Sequence, residues 1–352
     1  MVRDAVPLGE CGRALVVKLR HHGDVLLASP VLALLKARAP QLEVDALVYD
    51  DTLPMLEGHP ALSRLYFVGR KWRERNAFSR LTLERHLFRE LKARKYDLLV
   101  HLTEHPRGAW LARLLGTRYS VAPSMPDRGA FWAKSFTHLY PLVGGGRRHQ
   151  VELNLDALRR IGVQPGLAER RVQFVPGTEA EQRIEELVSG VPFVHVHPAS
   201  RWQFKCWPAE RNAELLDRLA ADGHNVVLTS APDEVDFIEQ ILRKTRAQPV
   251  SLAGKLSIKE LGALTARARL FIGVDSMPMH LAAAMGTPTV ALFGPSGENE
   301  WGPWNVERRV VTTTHSCRPC GYDGCGGGKL SECLTFLPVD PVYAAARELL
   351  AK

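Results

Sequence analysis

One local pattern occurs in this chain again and again: an apolar run long enough for a buried strand, a short polar turn, then residues at helical spacing. In the first half, residues 14–19 (ALVVKL) lead into the turn His21-His22-Gly23-Asp24 and an apolar helical stretch over 30–38. Further strands are predicted over 44–48, 65–68, 98–102 and 119–122, with a long basic helix over 77–94. Prolines and glycines break the pattern over 123–148, and a helix over 151–161 ends at the turn 163–166. The rhythm then restarts, with strands over 193–197, 225–229, 270–273 and 289–293. These alternate with helices over 209–221, 233–246, 257–266 and 278–285. Pro208 at a first helical position and the Ser257 to Glu260 capping box mark two of the starts. Strand, turn, helix in succession is the unit of a parallel α/β sheet. The expectation is two consecutive α/β domains, residues 1–165 and 166–338, with ligands bound at the carboxyl ends of their strands, and a last helix within 339–352.

Several classes are excluded by composition. The apolar stretches 26–35 and 281–293 are interrupted by Ser29-Pro30 and by Gly286-Thr287-Pro288, short of the ~18 residues a membrane span needs. The opening MVRDAVPLGE carries charge and proline where a secretory signal turns apolar, which predicts a cytoplasmic chain. Six cysteines in 352 residues do not make a disulfide scaffold. The formal net charge of +8 favours an anionic partner, and between residues 69 and 95 ten basic side chains face three acids. That run is either a solvated helix face or a surface for phosphate-rich or membrane partners.

Four strand-end loops carry unusual polar residues. Asp24 either caps the helix after it or, with Gly23 bending the chain, presents its carboxylate as a general base. In the second loop Lys205 stands among Ser200, Arg201, Trp202 and Trp207, just before a helix start suited to phosphate. In the third, Glu234 either accepts from ribose hydroxyls or is a favourable acid in a first helical turn. The fourth places Asp275 and Ser276 at a turn and Pro278 and His280 in the helix it opens, whose free amides suit a pyrophosphate. No G-x-G-x-x-G follows the first strand, and Gly328-Lys329 lacks the rest of a P-loop.

Three stretches together resemble the bacterial lipopolysaccharide heptosyltransferases of glycosyltransferase family 9. They are the KLRHHGD turn at 18–24, the K-x-W-P run at 205–208, and GVDSMPMHLAAAMGTPTVALFGPSGENEWGPW at 273–304. The VDS-x-P-x-H form and the W-x-P-W run at 301–304 resemble in particular the heptosyltransferase III type. The resemblance implies a GT-B fold, two Rossmann-like parallel-sheet domains facing a cleft, with the C-terminal helix crossing back onto the N-terminal domain. It implies metal-independent, inverting transfer of L-glycero-D-manno-heptose from ADP-heptose to the lipopolysaccharide inner core. By the same resemblance Asp24 matches the base and Lys205 the phosphate-binding lysine, with Ser200 in the same loop. Asp275 lies at the donor heptose, Ser276, Met277 and His280 along the pyrophosphate, Glu234 at the ribose and Leu256 near the adenine. Ser276-Met277 stands where relatives carry Thr-Gly. Lys71, Arg73, Arg75 and Arg80 would face the phosphorylated acceptor and the anionic inner leaflet, a peripheral position on the cytoplasmic membrane, and no nucleic acid is expected.

Cys317-x2-Cys320-x4-Cys325-x7-Cys333 reads as a structural zinc site or as reduced structural thiols. Two other functions stay open on the residues alone. One is a GT-B transferase for another nucleotide sugar or acceptor. The other is a nucleic-acid binder using the basic run and the cysteines, against which the few interleaved aromatics (Trp72, Phe78, Phe88) count.

Overall fold

The strands form two separate parallel sheets, six strands in each, in a computed structural model that describes residues 4–143, 146–188 and 190–352, the Arg73 side chain excepted. The first unit runs through Gln173 and the second begins at Phe174. In the first, β1 (Arg13–Val17), β2 (Glu43–Tyr49), β3 (Leu62–Val68), β4 (Leu98–His101), β5 (Tyr119–Pro123) and β6 (His138–Tyr140) lie in the order β3-β2-β1-β4-β5-β6. In the second, β7 (Phe193–His197), β8 (Asn225–Leu228), β9 (Val250–Ser251), β10 (Leu270–Val274), β11 (Thr289–Leu292) and β12 (Arg308–Val311) lie in the order β12-β11-β10-β7-β8-β9. Counted from its own first strand, each sheet has the same doubly wound order. Its direction reverses between β1 and β4 and between β7 and β10. Loops leaving those strand ends diverge and leave a crevice, the usual ligand position in such sheets.

The central strands are buried on both faces, as their unbroken apolar runs require. Leu15, Val17 and Leu99 meet Leu91, Leu111 and Trp132 in the first core, and Val194, Val196, Ile272 and Val290 meet Trp207, Leu216 and Ile241 in the second. The expected boundary at residue 165 moves, because residues 166–173 belong to the first unit: Glu169 accepts from Arg38 and Arg170 pairs with Glu152 at 2.8 Å.

The C-terminal helix, Val339–Leu350, is built into the second core, where Val342, Ala346 and Leu349 join Leu216 and Leu270. Trp207 Nε1 donates to Leu337 O at 2.9 Å and fixes the segment entering the helix. Among the described residues no helix is long and apolar enough to cross a membrane.

Candidate active site

In the second unit, the loops leaving β7 and β10 bring together polar residues far apart in sequence. Gly273 lets the strands lie close, since a Cβ there would stand 2.9 Å from His197 O. After β10 the chain turns at Asp275 and Ser276 and opens a helix, Met277–Met285, with Pro278 in its first turn and Gly286 closing it at φ 79°. Ser276 occupies the N-cap, yet its side chain caps no amide; Pro278 has no N–H and Met279 N donates to Ser276 O at 3.1 Å, which leaves Met277 N at the positive end of the helix. Lys205 Nζ donates to Asp275 Oδ2 at 2.6 Å, and Ser296 Oγ donates to the same oxygen. Asp275 is 5% exposed, so its charge is tolerable only with this pairing and the added hydrogen bond. The Lys205 side chain stays 22% exposed and is free on its outer side to meet a phosphate.

The surroundings are rigid. His195 Nε2 and His197 Nδ1 share Thr229 Oγ1 at 2.7 and 2.8 Å, and burial holds the His197 pKa down at about 3 and that of His195 far below its ordinary value. Ser200 is buried, its Oγ accepting from Trp202 N at 3.3 Å, and Trp207 is a core residue. Glu234 Oε2 accepts from Ala231 N at 3.0 Å, and burial raises its carboxyl pKa. That geometry serves the turn Pro232–Glu234 and leaves the other carboxylate oxygen for a ligand hydroxyl. Leu256 is half-buried against the cluster of Ile184, Phe193 and Leu264. Met277 is half-exposed at the helix start, and His280 is buried with its ring 6.3 Å from that of Trp301.

In the first unit, Asp24 lies in the short helix His22–Leu26, whose N-cap is His21. Among the described residues no hydrogen bond or ion pair reaches the Asp24 carboxylate, so the cap reading is not what the geometry shows. Beneath the turn, Lys18 is buried and Nζ donates to Leu102 O at 3.2 Å and Asn154 Oδ1 at 2.9 Å. Burial lowers the Lys18 pKa, and the charge of Asp24 works against that shift.

The basic run is less uniform than its count suggests. Arg94 is taken by Asp45 at 2.8 Å and by Glu43, and Arg70 by Asp51 at 2.7 Å. Lys71, Arg75 and Arg80 are exposed, while the Arg73 side chain lies outside the described structure.

Residues 84–330 match glycosyltransferase family 9, the heptosyltransferase family. The chain belongs to glycosyltransferase family 9. It is 41% identical to lipopolysaccharide heptosyltransferase 3 of Escherichia coli over 293 residues, covering 82% of this chain and 85% of that protein. To the lipopolysaccharide heptosyltransferase 3 of Escherichia coli strain K12 it is 36% identical over 339 residues, 94% of this chain and 96% of that one. A crystal structure of a family 9 glycosyl transferase from Veillonella parvula shares its fold, with a TM-score of 0.84, 24% identity and 99% of both chains covered. Membership in a transferase family decides against the nucleic-acid-binding reading. The family 9 match takes in Lys205, Glu234, Leu256 and Asp275 to His280, whereas the turn with Asp24 precedes it.

Among the described residues no three His, Cys, Asp or Glu side chains gather closely enough to hold a metal. Cys317 and Cys325 are exposed while Cys333 is buried, and burial together with the nearby Cys325, Cys320 and Cys317 raises the Cys333 pKa against the opposing charge of Arg318. The loop is fixed by other means: Arg318 Nε donates to Gly294 O at 2.6 Å and Gly321 N to Pro295 O at 2.9 Å. Sequence reading did not single out Ser296 or Asn154, and took Lys18 only as the first residue of the turn at 18–24. Ser296 follows β11, beside β10, and only the strand order places it at Asp275.

Proposed function

We propose that this family 9 enzyme transfers L-glycero-D-manno-heptose from ADP-heptose to a phosphorylated lipopolysaccharide core, with inversion and without a metal. The observation that carries the reading is the Lys205–Asp275–Ser296 cluster beside the uncapped start of Met277–Met285. The names of the two Escherichia coli relatives support the sugar and the acceptor. An acceptor hydroxyl attacks the anomeric carbon from the face opposite the leaving group. Its proton passes to Asp24 as the carbon–oxygen bond to the β-phosphate breaks and ADP departs. Negative charge grows on that phosphate, where Lys205 and the helix N-terminus provide the positive potential that a divalent cation supplies in other transferases. Asp275 holds Lys205 before the donor arrives and then faces the heptose. Glu234 meets the ribose, Leu256 the adenine, Ser200, Ser276 and Met277 the phosphates through backbone and side chain, and buried His280 backs the helix start.

Lys71, Arg75 and Arg80, with Arg73, suit an anionic inner-membrane surface at the cytoplasmic face. Co-sedimentation with anionic vesicles that is unchanged by salt would count against that placement. The nucleotide sugar is tested by thermal denaturation with ADP-heptose and with UDP, GDP and CMP sugars. ADP-heptose at ~100 times its dissociation constant stabilises the protein by ~2.7 kcal/mol. Stronger stabilisation by a UDP or GDP sugar overturns the donor assignment.

A further inference from the structure

The first unit has an open-mouthed cavity of about 570 Å³ between the helices Ala77–Ala93 and Arg107–Leu115. That volume lies within the range of small-molecule sites, ~300–1,000 Å³. Val68, Leu87, Leu91 and Leu111 line it and are buried, so its floor is apolar. A sugar hydroxyl placed against that floor would give up water without a hydrogen bond in return. The charged groups are the four guanidiniums of Arg70, Arg80, Arg85 and Arg107 and one carboxylate, Glu84. Arg107 is spent on Glu84, with both hydrogen bonds at 2.6 Å, and Arg70 on Asp51. Arg80 and Arg85 are exposed and form no ion pair among the described residues. Trp110 and Leu114 also line the cavity while 54% and 48% exposed, which leaves an apolar entrance beside the cations.

The cavity also adjoins the turn that carries Asp24. Arg70, one of its walls, donates from Nη2 to Arg20 O at 2.8 Å and lies 4.1 Å over the ring of Tyr49, another wall residue. We infer that this cavity takes an acyl chain of an anionic lipid whose headgroup is held by Arg80 and Arg85, and that the lipid is the acceptor's own. The second half of the inference rests on the proposed function; the existence of the lipid site does not. An amphiphile seated this way has its charged end at the rim that Arg70 ties to the catalytic turn.

The test uses the full chain and dodecyl phosphate below its micellar concentration, read by the emission of Trp72 and Trp110, which line the cavity. Dodecyl phosphate is expected to bind saturably and at least tenfold more tightly than dodecyltrimethylammonium, while inorganic phosphate at equal concentration leaves the emission unchanged. Arg85→Glu should weaken binding at least tenfold. Leu111→Trp, which fills the cavity, should abolish it, and the exposed substitution Leu114→Gln should weaken it if Leu111→Trp does not fold. ADP-induced thermal stabilisation must survive in each folded variant, so failure of the donor reading shows separately as loss of the ADP response in the unmodified protein. Equal competition by inorganic phosphate, or binding untouched by all three substitutions, overturns the lipid site. Displacement by the acylated core glycolipid but not by phosphatidylglycerol supports the acceptor as the source, and the reverse overturns that assignment.

Discussion

The two units share a strand order and place opposite charges at the point where it reverses. In the first, the cation is buried: Lys18 is committed to Leu102 O and Asn154, and the Asp24 carboxylate above it is left without a hydrogen bond among the described residues. In the second, the anion is buried: Asp275 is held by Ser296 and Lys205, and the lysine keeps an exposed side. An open carboxylate suits taking a proton from a hydroxyl, and an open ammonium beside a helix N-terminus suits a diphosphate. Under the proposed function, one backbone topology would serve the acceptor's proton and the donor's phosphates through the residue types at two strand ends.

The largest effect is expected where the first unit's open carboxylate is neutralised. Asp24→Asn keeps the shape and removes the basicity, and it should lower kcat by at least ~100-fold, the low end for loss of a general base. ADP affinity should hardly move, because the proposed donor groups lie in the other unit. Steady-state kinetics and ADP titration check the pair of values. Turnover near that of the unmodified enzyme, or loss of ADP binding, would mean that the charge contrast between the units has no catalytic meaning.

Removing the second unit's cation should act on binding and turnover together. Lys205→Ala is expected to weaken ADP by ~10- to 100-fold, since a hydrogen bond to a charged group contributes ~1.5–3 kcal/mol. It also leaves Asp275 with Ser296 alone, so a modest loss of thermal stability should accompany the weaker binding. Calorimetric titration that finds ADP bound as before would show that Lys205 serves only to neutralise Asp275.

Much of this arrangement is legible in the sequence, and the gaps have physical causes. Strands such as β1, β7 and β10 read easily because burial on both faces demands unbroken apolar runs. β6 and β9 are too short to show a period, at His138–Tyr140 and Val250–Ser251, and β12 opens with two arginines because it lies on a sheet edge. Lys205 and Asp275 each stand out as strand-end polar residues. Their meeting across 70 positions depends on β7 pairing with β10 around the intervening strands. The last helix shows an apolar face in the sequence without showing its neighbours; Val342, Ala346 and Leu349 join the second core, and Trp207 Nε1 bonds Leu337 O at the helix entry. The cysteine spacing suggests metal or reduced thiols, and spacing alone does not reveal that Arg318 anchors the loop to Gly294 and Glu298.

The smallest expected effect concerns acid stability, which separates the buried histidines of the two sheets. Burial holds His197 in the second unit at about 3 and His101 in the first at about 3, against ~6.5 in an unfolded chain. Above pH ~7.5 both states are neutral and these groups contribute nothing to the pH dependence. As pH falls below ~6.5 the unfolded chain takes up protons that the native state refuses, so stability declines with decreasing pH, continuing towards pH 3. One such histidine costs ~1.4 kcal/mol at pH 5.5. Glu234, raised by burial, acts in the opposite sense but is present in every protein compared. His197→Gln retains a polar group for Thr229 and removes the titration, so between pH 7.5 and 5.5 it should lose ~1.4 kcal/mol less stability than the unmodified protein. His101→Gln should do the same for the first unit, and where the units unfold separately each substitution should flatten only its own transition. A His197→Gln profile parallel to that of the unmodified protein would mean that His197 takes up its proton in the native state, with Glu234 Oε2 at 3.8 Å as the group that holds it.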